Sequence, residues 1–447
     1  MSTTRRSRLS IWWWEMSYRV GPNLWVAPVL MSSGAVLLFG VTRWMDRNLT
    51  GESARLPALL TPDTTGDAAI VLVALLGAIA TALALVFSTS ILTFSIASSQ
   101  LGPRLIRRFI SDPVTQLTLG AFLGTLIFLV LTLASVRSGR ADGVPEFSAA
   151  VAVLLSLGCF GLLVFYVHRV AATIQAPNVV ASVVSELHHV LDELDSYLPS
   201  VPRPIDPAET QAVVAAAHVD GAVLGATRTG YVELIDHPRL LDTANAAGAV
   251  VVLDRRPGQF VIQGQVVARV LPASAVDRLR ATVAEAVEIG PSRTLRQDLE
   301  FAIAQVVEIA LRALSPAVND TYTGLTCVDW LSSAVVQIGQ HPMSDGGMCS
   351  DGGELRLVVP PLHFERVVKA AFDLIREAGS DSPAVLIRLL DAVTAMAPMV
   401  MVDHVAPLRS HADLILETAH AATFASSDLA DLTERYGAAA AALDLRG

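Results

Sequence analysis

Four stretches of this chain, at about 24–43, 69–99, 114–136 and 147–168, are apolar for long enough to cross a bilayer, and all lie before residue 170. A span needs ~20 consecutive apolar residues to cover a ~30 Å hydrocarbon core. Mean hydropathy over the chain is +0.51, and the apolar excess is concentrated in this first part. Charge divides at the same place. Residues 1–170 carry 13 Lys+Arg against 8 Asp+Glu, whereas residues 171–447 carry 19 against 34. The expected fold class is therefore an α-helical membrane domain of four transmembrane helices followed by a cytoplasmic α+β domain.

Basic residues set the expected orientation. Arg5, Arg6, Arg8 and Arg19 precede the first span, Arg104, Arg107 and Arg108 lie between the second and third, and Arg169 follows the fourth. The opposite loops hold five Arg offset by six acids. The positive-inside rule puts both termini and the large domain in the cytoplasm of a bacterial inner membrane. No cleavable leader is expected, because the basic start runs into Trp12, Trp13 and Trp14 rather than a long apolar core.

The second span is over-long, and Thr81, Ser88, Ser95 and Ser99 recur along one of its faces. Hydroxyls at that spacing serve close helix packing or line a polar path, and both readings stand. Gly102 and Pro103 end the span. Leu105, Ile106, Phe109 and Ile110 then alternate with Arg104, Arg107 and Arg108, the pattern of a basic amphipathic helix on anionic lipid headgroups. No ionisable residue falls mid-span, which argues against an ion-coupled pump.

Behind the spans, residues 171–207 read as a connecting helix and a proline-marked linker, 208–272 as a β-rich module, and 273–447 as mainly helical. Residues 256–270 resemble the small β modules of lipoyl and membrane-fusion adaptor proteins. Gly264 and Gln265 occupy the turn where such a module carries its modified lysine, so a structural module is expected. Thr294 and Gln297 have the spacing of a capping box. Arg293, Gln297, Asp298, Asn319 and Asp320 form the densest polar constellation, read either as a site or as caps and ion pairs. The three cysteines show no paired spacing, and no phosphate loop, nucleophile elbow or HExxH appears. No metal, cofactor or enzymatic activity is expected. The acidic second part argues against nucleic acid as its main partner.

Residues 97–104 (ASSQLGPR), 257–261 (PGQFV), 293–298 (RTLRQD) and 310–320 (ALRALSPAVND) occur in an order that resembles a bacterial family of membrane proteins, domain of unknown function 2254. The chain departs from the family pattern at Thr321 and Tyr322, where a Pro-Phe pair is expected. The resemblance implies four spans and a cytoplasmic domain, and supplies no activity. Two functions follow as expectations. One is a homo-oligomeric ion channel with the second span lining its pore. The other is a membrane-anchored sensor or scaffold whose cytoplasmic domain binds a small-molecule or protein ligand.

Overall fold

The structure is a computed structural model that describes residues 25–48, 64–101, 112–137, 146–173, 179–185, 206–343 and 345–446. Contacts divide the chain into two compact units, Met1–Asn178 and Val179–Gly447. The basic segment with Arg104, Arg107 and Arg108 lies outside the described residues, as does much of the expected connecting helix and linker.

The first unit holds α1 (Val26–Asn48), α2 (Thr65–Leu101), α3 (Pro113–Arg137) and α4 (Glu146–Thr173). All four are long and apolar enough to cross a membrane. Each runs past the C-terminal end of its sequence estimate, and the longest is α2, whose 37 residues span about 55 Å at ~1.5 Å per residue. α3 packs against each of the other three helices. Its Gly120 and Gly124 let Met31 and Ala35 of α1 approach closely, the small-residue contact favoured between helices in lipid. Tyr166, Phe122, Phe128, Leu72 and Ile79 fill the centre.

Two details depart from the sequence reading. Asp46, expected in a loop, lies within α1 and is buried. Its carboxylate accepts hydrogen bonds from the Phe147 N–H and the Ser148 hydroxyl, so it caps the start of α4. On α2 the hydroxyls facing inward are Ser90 and Thr93 rather than Thr81, Ser88 or Ser95. Buried hydroxyls on the other helices include Thr42 of α1, Thr115, Thr118, Thr125 and Thr132 of α3, and Ser148 and Ser156 of α4. Thr118 and Thr132 donate to carbonyls one turn back. Thr125 meets the Cys159 thiol at 3.3 Å, and Ser90 meets the Tyr166 hydroxyl at 2.6 Å.

The second unit continues with α5 (Pro207–Asp220), β1 (Ala222–Gly225), β2 (Gly230–Ile235), α6 (His237–Ala246), β3 (Val250–Leu253), β4 (Phe260–Val261), β5 (Val266–Leu271), α7 (Val276–Ala286) and β6 (Val287–Gly290). α8 (Leu299–Ala313), α9 (Thr321–Gly339), β7 (Gly347–Cys349), β8 (Leu355–Val358), α10 (Phe364–Ala378), α11 (Pro383–Met396), α12 (Val405–Ala421) and α13 (Ser426–Asp444) complete it.

The strands form a five-stranded sheet in the order β1-β5-β3-β8-β7 and a three-stranded sheet in the order β4-β2-β6. Among the described strands only β3 and β8 pair in parallel. β3 reads VVVL and its last three residues are buried, the composition of a strand covered on both faces. The sheets do not stop at residue 272, since β6, β7 and β8 all come from later in the chain. Residues 256–270, which resemble the lipoyl-type modules, supply β4 to one sheet and most of β5 to the other.

The helical part is amphipathic in the ordinary way. On α10, Phe364, Val367, Val368, Ala371, Phe372 and Ile375 are buried, one stripe at i, i+3, i+4 spacing. Phe372 and Leu389 lie in the core formed with α11 and α12.

Candidate functional site

The sequence marks Arg293, Gln297, Asp298, Asn319 and Asp320 as one constellation. The structure keeps the first three together and sends the last two elsewhere. Asn319 adopts the left-handed conformation (φ 51°) in the turn after α8, a conformation asparagine tolerates better than most residues. Its N–H donates to the Ser315 carbonyl. Asp320 caps α9, accepting from the Thr323 N–H at 3.1 Å and from the Thr323 hydroxyl at 2.6 Å. Both residues are exposed.

Arg293 and Asp298 form a bidentate ion pair at 2.7 and 2.8 Å. Asp298 is almost wholly buried and also accepts from the Phe301 N–H at 3.0 Å, capping α8. The Arg293 guanidinium lies 5.2 Å from the Phe301 ring centroid. Burial raises the Asp298 carboxyl above the usual carboxylate range, against the pull of Arg293. Burial also lowers Arg293, but the hydrogen bonds and charge of Asp298 more than offset this, so the guanidinium is held more firmly protonated than usual.

The expected capping box does not form. Thr294 donates to the Glu233 carbonyl at 3.0 Å. The Gln297 amide accepts from the Ile235 N–H at 2.9 Å and donates to the Ile235 carbonyl at 3.0 Å. The amide behaves as an extra residue of strand on the end of β2, and the helix begins later, at Leu299.

Gly258 lies directly against the Asp298 carboxylate; a Cβ added there would sit 2.0 Å from Oδ2. Two segments distant in sequence, 257–261 and 293–298, thus meet at one contact.

That contact borders a cleft of about 260 Å³. Its walls are the end of β2 with His237, residues 255–257 after β3, residues 297–300 at the start of α8, the end of α9 with the loop that follows, and residues 359–362 before α10. Ligand sites commonly occupy ~300–1,000 Å³ and mix an apolar lining with a few polar groups. Here Pro257, Met343, Met348, Val359 and Leu362 supply the apolar surface.

The charged groups on these walls are unevenly paired. Arg256 binds Glu300 at 2.7 Å, and Glu300 is held again by Arg366 at 3.1 and 3.2 Å. Asp298 is taken by Arg293. Arg255 has no ion-pair partner among the described residues, and its Nε is buried without a hydrogen bond. Its neighbour Asp254 is engaged by Arg269 at 3.1 Å. Gln337, on α9, likewise has a buried amide oxygen with no partner among the described residues. Composition and spacing give no hint of either residue, because the cleft assembles from segments about a hundred residues apart.

His237 is part of the cleft lining. Burial pushes its imidazole down to about 4, and nearby Asp236 offsets only part of this. The ring is therefore neutral in the folded protein at pH 7. Because the folded value lies below the ordinary 6.5, its contribution to stability is complete above that pH and is lost as pH falls toward 4. The full loss is about 3 kcal/mol. His237→Gln is expected to flatten the decline between pH 6.5 and 4, read by denaturant unfolding at a series of pH values.

The predicted stripe on α2 is resolved in part. Thr81, Ser88 and Ser95 are exposed on the outside of the four-helix bundle. Thr81 donates to the Gly77 carbonyl one turn back at 2.9 Å, and the Ser99 side chain lies outside what the structure describes. At one end of the bundle, Ser90, Thr93, Asp112, Thr115, Tyr166 and Arg169 surround a pocket of about 20 Å³, room for a single water. Among the described residues no group of His, Cys, Asp and Glu could hold a metal ion.

Four candidate spans and a separate unit of helices with two small sheets define a polytopic membrane protein with a large extramembrane domain. The family described as predicted membrane protein, domain of unknown function 2254, matches residues 22–395, and the chain belongs to it. Uncharacterized proteins of Mycobacterium tuberculosis and Mycobacterium bovis are 28% identical to it over 393 residues, covering 84% of this chain and 71% of theirs. No solved structure matches.

Proposed function

We propose that this membrane protein is an anchored receptor for a small molecule. The second unit takes the ligand in its cleft, and the four spans hold that unit at the bacterial cytoplasmic membrane with both termini inside. One observation carries the reading. The second unit contains a cleft of about 260 Å³ walled by five separate segments of strand, loop and helix. A ligand there would contact the β-rich and the helical parts at once, so binding would stabilise one arrangement of the two. Catalysis is not part of the proposal, because Asp298, the most buried acid of the cleft, is committed to Arg293 and to the α8 cap.

Native mass spectrometry of the intact chain, released from membranes in mild detergent, tests this. The expected result is a bound species of metabolite mass that raises the unfolding temperature when restored. Saturation to ~100 times the dissociation constant stabilises by ~2.7 kcal/mol. A bare chain mass with no stabilisation by any small molecule would count against the receptor.

A second reading, a homo-oligomeric pore, is favoured by the outward placement of Thr81, Ser88 and Ser95. The centre of a single bundle is filled with aromatic and aliphatic side chains, so a polar path would have to run between copies, with α2 facing the axis. In planar bilayers the wild type would then conduct, and Ser88→Leu with Ser95→Leu would lower the conductance about tenfold or more, the loss expected when a wetted constriction becomes apolar. If the wild type fails to conduct, or the double variant conducts equally well, the pore is excluded and the receptor reading is untouched.

A further inference from the structure

Resting on the receptor reading, we infer that the ligand is a small organic anion with a hydrogen-bonding group on an apolar body: the anion pairs with Arg255, and the polar group with Gln337. The cleft leaves few of its groups unpaired. Each other charge on its walls is spent within the protein: Arg256 on Glu300, Glu300 also on Arg366, and Asp298 on Arg293. His237 stays neutral at pH 7, with its imidazole near 4. The His341 Nδ1 faces the Gln337 backbone carbonyl at 2.9 Å. The Arg255 guanidinium remains, with a buried N–H that no acceptor among the described residues meets. A buried donor left unmet costs about 1–3 kcal/mol, more when charged. A guanidinium fork matches carboxylate or phosphate oxygens in pairs.

Gln337 reaches the same cleft from α9, on the helical side, while Arg255 comes from the exit of β3. Its unmatched amide oxygen calls for an N–H or O–H donor, and an amide rotated end for end would offer its own N–H to an acceptor instead. Either way the ligand carries a polar edge apart from its anion. Pro257, Met343, Met348 and Leu362 line the same cleft, an apolar lining suited to a flat or aliphatic body. At about 260 Å³ the cleft holds several times the volume of a phosphate ion, so a bare inorganic anion would leave most of that lining against water.

Arginine-selective labelling of the intact chain with phenylglyoxal, read by peptide mass spectrometry, tests the assignment while the natural ligand is still unidentified. Arg255 should react faster than Arg256 and Arg293, whose guanidinium groups are held by carboxylates. Hippurate and phenyl phosphate serve as probes, with hippuramide, phenol and inorganic phosphate as their counterparts. At about ten times its dissociation constant, at least one of the two organic anions should slow the labelling of Arg255 by about tenfold, because only the free fraction reacts, and should raise the unfolding temperature. Arg255→Gln should abolish that rise, Arg255→Lys should restore part of it, and Gln337→Leu should weaken binding about tenfold.

Labelling of Arg255 as slow as that of Arg256 would overturn the assignment. So would protection by the neutral counterparts or inorganic phosphate equal to that by the organic anions, or no protection by either organic anion. Neutral compounds that bind the cleft equally well in Arg255→Gln would overturn the ligand class and leave the receptor standing. A chain that binds none of the probes and also emerges from membranes with a bare mass would remove both. Because labelling is done on the wild type, the test does not depend on whether the variants fold.

Discussion

Gly258→Ala is expected to destabilise the second unit by about 3–5 kcal/mol, the scale for disrupting a buried ion pair. Two effects combine. Gly258 has a φ of +87°, a conformation that costs an alanine roughly 1 kcal/mol. The larger effect is steric. The new Cβ would sit 2.0 Å from Asp298 Oδ2 and 2.8 Å from Oδ1, and the carboxylate has no room to retreat. It is fixed by two hydrogen bonds from Arg293 and one from the Phe301 N–H. Something must break, either the ion pair, the α8 cap, or the turn at residues 257–259. Gly264→Ala provides the control. Its φ is +85°, yet nothing lies within 4 Å of the added Cβ, so only the backbone cost of roughly 1 kcal/mol applies. Denaturant midpoints of the two variants should therefore differ by the cost of the carboxylate contact. Equal midpoints would show that the Gly258–Asp298 contact is not tight.

Arg293→Ala is the second large effect, expected at about 3–5 kcal/mol near neutral pH. It leaves Asp298 buried without its counter-charge and removes the guanidinium from the Phe301 ring. The pH dependence gives the mechanism away. Burial already raises Asp298, and loss of Arg293 would raise it further. In the variant the penalty is therefore present where the carboxyl is ionised, and it shrinks as pH falls and the carboxyl takes up a proton. The deficit relative to wild type should be largest at neutral pH and smaller in acid. Arg293→Lys should fall between, since an ammonium keeps the charge but not the two-pronged geometry. A deficit that does not change with pH would mean that Arg293 acts through packing alone.

The spans are legible in the sequence because lipid imposes one simple requirement, a long apolar run, and each of the four runs meets it alone. Their inner face is not. Thr81, Ser88 and Ser95 stand out on α2 as hydroxyls at regular spacing, but the buried hydroxyls of that helix are Ser90 and Thr93 on another side, and others are buried on α3, Thr118, Thr125 and Thr132 among them. Hydroxyls bond to their own helix at almost no cost, so their spacing does not report which side faces inward. Asp46 escapes a sequence reading for a related reason: its helix runs further than its apolar run.

In the second unit, β3 is legible as a buried β-branched run and Asp320 as a helix cap, because both are local. The parallel pairing of β3 with β8 joins residues about a hundred apart, and nothing local encodes it. The same holds for Gln297, which has the spacing of a capping residue but spends its amide on the backbone of β2. Residues 293–298 and 319–320 form one group in the sequence only because they lie close together and are polar. The fold instead joins the first set to Gly258 and leaves the second to cap its own helix. Arg255 and Gln337 are the extreme case. Each is unremarkable in the sequence and becomes informative only when every neighbouring charge has been matched to a partner.

The receptor stands or falls with the cleft as a ligand site. The most direct measurement is an electron cryomicroscopy map of the intact chain, purified in mild detergent without added small molecules. The receptor predicts non-protein density within the cleft, touching Arg255 and Gln337, in a map where Arg256 and Glu300 remain paired. A map of equal quality in which the cleft holds only solvent, or in which a carboxylate of the protein itself closes onto Arg255, would contradict it.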